Sequence, residues 1–154
     1  MTGLPSGCQL RLATQNDAWS IRRLVLGAFL DPTQLRWQQF WVVEQEGKLI
    51  ACGQLRSFDE AQELGSIVVD KKWRNQGIGS LLTQHLIQQA TKPLYLECLG
   101  HWRVDFYQRF GFERVTLDEL PRSLQQKFGI AQTFTKILGI PLTLMKHPIT
   151  QNNP

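Results

Sequence analysis

Three consecutive β-type runs joined by short links constrain the fold of this chain most. The runs cover residues 40–44, 49–56 and 62–70, and the first link, residues 45–48, contains a turn-forming glycine. Strands joined by links this short pair in antiparallel order, because a parallel connection needs a crossover of roughly a dozen residues or more. The centre of the chain is therefore predicted to be an antiparallel meander.

The segment before this meander carries a strand pattern and then helix patterns. Residues 8–13 alternate between apolar and polar in the manner of a strand. Thr14 with Asp17 then forms a capping pattern, and apolar residues recur at helical spacing beyond it. A short second helix is predicted near Trp37.

The segment after the meander continues the alternation. An amphipathic helix is predicted to begin near Ile78 and to end before Pro93. Strand, helix, strand, helix and strand then follow at residues 94–98, 102–110, 112–116, 120–138 and 142–147. Gly129 is expected to interrupt the second of these helices. The order of elements predicts a mixed α/β protein.

Length and composition favour one globular domain. The chain has 154 residues, of which 42% are hydrophobic and 19% charged, enough to bury a core. We expect a single domain over residues 1–150, with a helical insertion at 118–139 and a loose polar tail at 151–154. No apolar run approaches the roughly 20 residues that span a bilayer, so no membrane association is expected.

Charge and cysteine content narrow the class further. The 17 basic and 13 acidic residues give a net charge of +4 without a basic run, which argues against nucleic-acid binding but suits a small polyanion held at one place. Cys8, Cys52 and Cys98 lack CxxC spacing and are expected to be buried thiols of a cytoplasmic protein. The three histidines are scattered, so no metal site is predicted.

The segment between the third β-type run and the long helix has the composition of an anion-binding loop. Gly77 and Gly79 stand at the helix start, where unpaired backbone N–H groups and the helix dipole attract a phosphate. Neighbouring polar residues add a positive charge and further donors, namely Arg74, Asn75, Gln76 and Ser80. A pyrophosphate-sized ligand suits this design, although two glycines alone also suit a tight turn without a ligand.

Two motifs in this part of the chain occur in a set order. The first, Arg74-Asn75-Gln76-Gly77-Ile78-Gly79, follows an Ile67-Val68-Val69-Asp70 strand, and the second is Phe106-Tyr107-Gln108-Arg109-Phe110-Gly111-Phe112. They resemble the Arg/Gln-x-x-Gly-x-Gly/Ala and Tyr-x-x-x-Gly-Phe signatures of the GCN5-related N-acetyltransferase (GNAT) family. The resemblance covers about residues 10–116.

This resemblance implies the GNAT fold, a twisted, mostly antiparallel mixed sheet that is flanked by helices and splays apart between strands 4 and 5. Acetyl-coenzyme A would lie in the gap as co-substrate. Backbone groups of the fourth strand would bind its pantetheine arm, and the glycine loop would bind its pyrophosphate. The implied cofactor-binding residues are Ile67, Val68, Val69, Arg74, Asn75, Gln76, Gly77, Ile78, Gly79 and Ser80.

The resemblance also implies two catalytic residues. Tyr107 matches the tyrosine that protonates the departing sulfur in the family, and its alternative is a packed aromatic residue. Glu63 occupies a position where several members keep a general base, and its alternative is an exposed glutamate at a strand end. A carboxylate with an ordinary pKa near 4.3 would need burial or an intervening water to deprotonate an amine.

The sequence departs from the family pattern in one place and leaves the acceptor side open. Gly100 stands where many members have asparagine, and the following His101 is either a substitute donor or a loop residue facing solvent. Trp37 and Trp41 are candidates for the wall of an acceptor pocket. The segment before the last strand either forms a flap over the cleft or covers one face of the sheet. In the flap, the inward-facing residues would be Leu124, Phe128, Phe134, Ile137 and Leu138.

These expectations define an N-acetyltransferase that moves an acetyl group from acetyl-coenzyme A to a primary amine by direct attack on the thioester. The acceptor is a small molecule or a peptide, and the chain is a monomer or a homodimer. The alternative is a non-catalytic acyl-coenzyme A sensor or interaction module on the same fold.

Overall fold

The computed structural model describes residues 3–148. Within that range the chain forms four α-helices, which are α1 (Ala18–Gly27), α2 (Ile78–Gln89), α3 (His101–Gln108) and α4 (Arg122–Ile137). It also forms seven strands, which are β1 (Cys8–Leu12), β2 (Phe40–Gln45), β3 (Lys48–Ser57), β4 (Gln62–Val69), β5 (Leu94–Leu99), β6 (Glu113–Val115) and β7 (Leu142–His147).

The strands form one mixed sheet in the order β1-β2-β3-β4-β5-β7-β6. The pairs β1–β2, β2–β3, β5–β7 and β6–β7 are antiparallel. Strand β4 runs parallel to β5, with Gln62 opposite Leu94 and Glu63 opposite Tyr95, at the first two positions of each strand. The predicted mixed α/β class is confirmed.

The chain divides into two compact units. One unit contains residues 3–56 and Leu64–Gln89, and the other contains Ser57–Glu63 and residues 90–148. Strand β4 therefore contributes its first two residues to the second unit and the rest to the first. The expectation of one domain over residues 1–150 stays a prediction.

The first unit buries apolar side chains on both faces of its strands. On the α1 face the buried cluster is Ala13, Ile21, Val25, Phe40, Val42, Leu49, Cys52 and Val68. On the other face α2 lies close to the backbone, because a Cβ built on Gly53 would come within 2.7 Å of Ile67 Cδ1 and Leu86 Cδ1. A glycine at this position lets helix and strand approach closely.

The second unit has its own buried cluster under α4. Its members are Ala61, Tyr95, Leu120, Leu124, Phe128 and Leu144. Leu124 and Phe128 are four residues apart on α4, so they lie on the same helix face and both point into this cluster. Burying two large side chains on one face explains where this helix packs.

An ionic network fixes the entry to α1. The Arg11 guanidinium donates to both carboxylate oxygens of Asp17, at 2.7 and 3.0 Å, and to Glu44 Oε2. Thr14 and Asp17 form the predicted capping box on a 3-10 turn that leads into α1. Hydrogen bonds from Arg11 are the main reason that the pKa of Asp17 is lowered to about 2.

Three predictions about the helices and the C-terminal tail differ from the structure or fall outside its described residues. The short second helix predicted near Trp37 is present only as one 3-10 turn at Trp37–Gln39, and not as an α-helix. The predicted interruption at Gly129 is wrong, since α4 passes through this residue unbroken from Arg122 to Ile137. The predicted loose tail at 151–154 lies outside the described residues.

Within residues 3–148 no helix has the length and apolar content to cross a membrane.

Candidate functional site

The loop between β4 and α2 is held by short local hydrogen bonds. Asp70 Oδ1 accepts from the backbone N–H of Lys72 at 2.9 Å, which fixes a 3-10 turn at Lys71–Trp73. Arg74 Nε donates to the carbonyl of Val69 at 3.1 Å. The guanidinium is thereby held beside the end of β4, and its remaining N–H groups are exposed.

The loop then reaches α2 through two left-handed residues. Asn75 has φ +62° and Gly77 has φ +80°, and these are residue types that adopt this conformation at low cost. Leu81 N–H donates to the carbonyl of Gly77, so Gly77 stands immediately before the first turn of α2. A Cβ built on Gly79 would lie 3.6 Å from Val69 Cγ2, an ordinary contact. This position therefore tolerates alanine, as the Gly/Ala of the motif does.

The donor set of the loop fits a pyrophosphate. The first N–H groups of α2 have no partner inside the helix, and the helix dipole is positive there. Arg74 adds a full charge, and residues 74–80 contain no carboxylate that would compete with a phosphate. The binding roles of Arg74, Asn75, Gln76, Gly77, Ile78, Gly79 and Ser80 remain predictions that this geometry suits.

The end of β4 combines regular and irregular backbone. Ser66 has φ +53°, which is outside the strand region, so the backbone of β4 departs from regular strand geometry just before Ile67. Val68 is buried on the α1 face, whereas the side chains of Ile67 and Val69 contact residues on the α2 side. The predicted use of Ile67, Val68 and Val69 is through the backbone, so these packing roles are compatible with it.

Tyr107 lies on α3 among aromatic side chains. Its ring makes edge-on contacts with Phe106 and Phe112, at centroid distances of 5.1 and 5.7 Å. Desolvation, followed by the nearby Cys98, raises the pKa of Tyr107 to about 12, so the phenol is protonated at neutral pH. A protonated hydroxyl without a hydrogen-bond partner in the described residues suits a proton donor, and the acid role stays a prediction.

Glu63 is buried and ion-paired. Its side chain is only 3% exposed, and Lys127 Nζ of α4 lies 2.5 Å from Glu63 Oε2. The alternative of an exposed strand-end glutamate is therefore wrong. The base role is untested, and such burial means that an acceptor amine would reach this carboxylate only through a water or a rearrangement.

The departure from the family at Gly100 has a backbone cause. Gly100 precedes α3 with φ +84° and ψ 148°, a combination that glycine adopts and asparagine avoids. His101 is exposed at the first position of α3.

The buried thiol of Cys98 has its pKa raised to about 11 by desolvation, so it is neutral at neutral pH. Cys8 is only half-buried, unlike the expectation for all three cysteines.

The residues proposed for the acceptor side are more dispersed than expected. Trp37 packs against the cluster on the α1 face, whereas Trp41 makes an edge contact with His85 of α2 at 4.2 Å. The two rings thus do not wall one pocket. On α4, Leu124 and Phe128 are buried, but Phe134 and Ile137, together with the following Leu138, are exposed rather than inward-facing.

Among residues 3–148 there is no group of three or more His, Cys, Asp or Glu side chains that could hold a metal ion.

The fold and the loop define a class, and comparison with known families agrees. The family model described as acetyltransferase (GNAT) domain matches residues 36–114, which include the whole meander and both motifs. The chain belongs to the GNAT acetyltransferase family.

Curated relatives carry the name amino-acid acetyltransferase. The protein of Shewanella oneidensis is 31% identical over 113 residues, which cover 71% of this chain and 25% of the relative. The protein of Escherichia coli K12 is 25% identical over 148 residues, which cover 88% of this chain and 33% of the relative. The chain thus spans between a quarter and a third of the length of these relatives.

Solved structures share the fold. N-acetylglutamate synthase from Neisseria gonorrhoeae, complexed with coenzyme A and L-arginine, aligns with a TM-score of 0.75 at 19% identity and covers 96% of this chain and 34% of that protein. A Mycobacterium tuberculosis protein in complex with CoA and NLQ aligns with a TM-score of 0.75 at 21% identity, covering 92% and 99%. At these sequence identities, the structural similarity shows a shared fold and nothing more specific.

Proposed function

We propose that this chain transfers an acetyl group from acetyl-coenzyme A to the α-amine of a small amino acid. The observation that carries the proposal is the loop of residues 74–80, in which left-handed Asn75 and Gly77 lead directly into the open N-terminus of α2. The curated relatives named amino-acid acetyltransferase support the choice of acceptor class.

The loop binds and orients the co-substrate in this proposal. The first N–H groups of α2 and the Arg74 guanidinium hold the pyrophosphate, because both are donors without a competing carboxylate in the loop. Backbone groups of Ile67, Val68 and Val69 hold the pantetheine arm. The thioester itself supplies the activated acyl group.

Protons move through two side chains. The Tyr107 hydroxyl, which is protonated at neutral pH, donates its proton to the departing thiolate. Glu63 accepts the proton of the attacking amine through a water, since its side chain is too buried for direct contact. Lys127 neutralises the charge of Glu63 in the resting protein and would have to shift as this proton arrives.

The first experiment separates an enzyme from an acyl-coenzyme A sensor. The purified chain is incubated with acetyl-coenzyme A and each of the common amino acids, and released thiol is measured. An enzyme releases thiol with a subset of them. Tight coenzyme A binding without thiol release for any amine would favour the sensor and overturn the proposal.

Tyr107→Phe tests the acid role with a matched control. Loss of general-acid catalysis lowers kcat by about a hundredfold or more, and coenzyme A affinity stays within about twofold because the ring is kept. Tyr95→Phe, at the chain's other tyrosine, is the control and keeps kcat. An unchanged kcat in Tyr107→Phe would remove this residue from the mechanism.

Gly77→Glu tests the loop separately. A side chain at φ +80° strains the backbone, and a carboxylate at the start of α2 repels a phosphate. Coenzyme A binding should fall by at least about a hundredfold, as measured by calorimetry. Unchanged affinity would show that the loop does not bind the pyrophosphate.

A further inference from the structure

A basic cavity of about 570 Å³ lies within the first unit, beside but not on the phosphate loop. Its lining comes from α1 and the residue after it, from Gly47 with the first two residues of β3, and from the end of β4 with the turn that follows. None of residues 75–80 lines it. Its floor is apolar and includes Leu24, Leu49 and Val68, which pack in or against the cluster on the α1 face.

The cavity and the start of α2 lie on different faces of the sheet. Val68 faces α1, while Gly53 and Ile67 of the adjacent strands face α2. Arg74 is the one residue of the loop motif, among those described, that also lines the cavity. The cavity is therefore a separate place for a ligand rather than part of the helix N-terminus.

The charge of the chain is concentrated at this cavity. Among the described residues its cationic lining consists of Arg23, Lys48, Lys71, Lys72 and Arg74, and its one carboxylate is Asp70. That gives a formal charge of +4, equal to the formal charge of the entire chain. The remaining basic and acidic side chains balance, twelve against twelve.

Within residues 3–148, four of these five cations have no ion-pair partner, and the fifth, Arg74, donates to the carbonyl of Val69. In the part of the chain that the structure describes, Arg23, Lys48, Lys71 and Lys72 form no ion pair. The carboxylate of Asp70 accepts instead from the backbone of Lys72. Like charges gathered in a concave site repel one another and raise the local concentration of anions, so the arrangement favours a multiply charged anion.

We propose that this cavity binds the phosphate group of an organic phosphate, as a second phosphate site distinct from the loop at the start of α2. Lysine ammonium groups suit phosphate as mobile point charges, and the apolar floor receives the organic part of the ligand. The phosphate is either the 3′-phosphate of coenzyme A or that of a separate metabolite. The first source rests on the proposed function, whereas the second does not.

The experiment uses inorganic pyrophosphate as the first probe. Calorimetry compares the wild-type chain with Lys48→Ala/Lys72→Ala and with Lys136→Ala/Arg122→Ala, a control that removes two exposed charges from α4. Two lost contacts of about 0.7 kcal/mol each predict roughly tenfold weaker binding in the cavity variant and less than twofold in the control. Equal affinity in the two variants, or no binding by the wild type, overturns the proposal.

A second comparison identifies the source of the phosphate. If it belongs to coenzyme A, the cavity variant binds coenzyme A about tenfold more weakly but binds dephospho-coenzyme A, which lacks the 3′-phosphate, like the wild type. If it belongs to another molecule, the cavity variant binds coenzyme A and dephospho-coenzyme A like the wild type, while its pyrophosphate binding is about tenfold weaker. Selective loss of L-glutamate binding instead would overturn the phosphate assignment.

The same titrations in a Gly77→Glu background keep this proposal separate from the proposed function. That substitution disables the loop but leaves every residue of the cavity lining in place. Pyrophosphate binding that persists there and falls in the cavity variant supports the cavity even if the loop hypothesis fails. Pyrophosphate binding that disappears with Gly77→Glu alone assigns all binding to the loop and overturns the cavity.

Discussion

The pair between Glu63 and Lys127 offers a quantitative test of how the second unit is held together. Lys127→Met keeps the length and apolar stem of the side chain but removes its charge. Glu63 is 3% exposed and Lys127 is 23% exposed, so the carboxylate loses a cation that water cannot fully replace. Breaking a buried pair from one side costs about 3–5 kcal/mol.

Partial exposure of Lys127 and the further interactions of Glu63 place the expected loss at the low end, about 3 kcal/mol of unfolding free energy. For a chain of this size that loss lowers the Tm by about 6–12 °C. Urea denaturation followed by circular dichroism measures it. Lys136→Met, at an exposed lysine on the same helix, is the control and should cost about 0.5 kcal/mol or less.

A double-mutant cycle with Glu63→Gln isolates the pair. The double variant should be more stable than the sum of the two single losses predicts, by at least about 1 kcal/mol, because neither partner is then left charged alone. A loss below about 1 kcal/mol for Lys127→Met, or a coupling near zero, would refute the reasoning. Glu63 would then lack the tether that the proposed proton route has to release.

Three further predictions concern stability. The pKa of Asp17 lies below its ordinary value, so its ion pair stabilises the fold above about pH 4 and loses that contribution as the pH falls through about 2. Asp17→Asn should therefore lower the free energy of unfolding by about 2 kcal/mol at pH 7 and by much less at pH 2.5, as measured by urea titrations. Equal losses at the two pH values would contradict this assignment. Gly53→Ala should lower the free energy of unfolding by about 1–3 kcal/mol, because the added methyl group overpacks against Ile67 and Leu86. Gly27→Ala is the control: its added methyl group meets open space, so the change should be neutral or slightly stabilising. Thermal unfolding of both variants measures the difference. Gly77→Ala places a side chain at φ +80° and should lower the free energy of unfolding by about 1–2 kcal/mol. Gly79→Ala, within α2, should raise it by up to about 1 kcal/mol. The reverse order of the two denaturant midpoints would show that the loop geometry is not as described.

Local patterns were sufficient to predict most of the elements. The last strand is observed at Leu142–His147, as its alternation indicates, and the capping pattern of Thr14 and Asp17 is present. Gly129 shows where local reasoning fails. A glycine inside a helix costs about 1 kcal/mol, but the burial of Leu124 and Phe128 on the same helix outweighs it.

The site was predicted unevenly for the same reason. Arg74, Gly77 and Gly79 stand within six residues of one another, so a sequence motif is enough to find them. Lys127 and Glu63 are 64 residues apart, and no local signal joins them. The basic cavity draws its cations from three separate segments, so composition indicated an anion partner but only the fold showed where these charges meet.

The concentration of charge at one cavity affects how the molecule behaves in bulk. A particle whose +4 charge sits at one place has a large dipole moment and meets a negatively charged surface in one preferred orientation. On a cation-exchange resin it should be held by that side alone. Millimolar pyrophosphate in the buffer should then elute it at a lower salt concentration than sulfate of the same ionic strength.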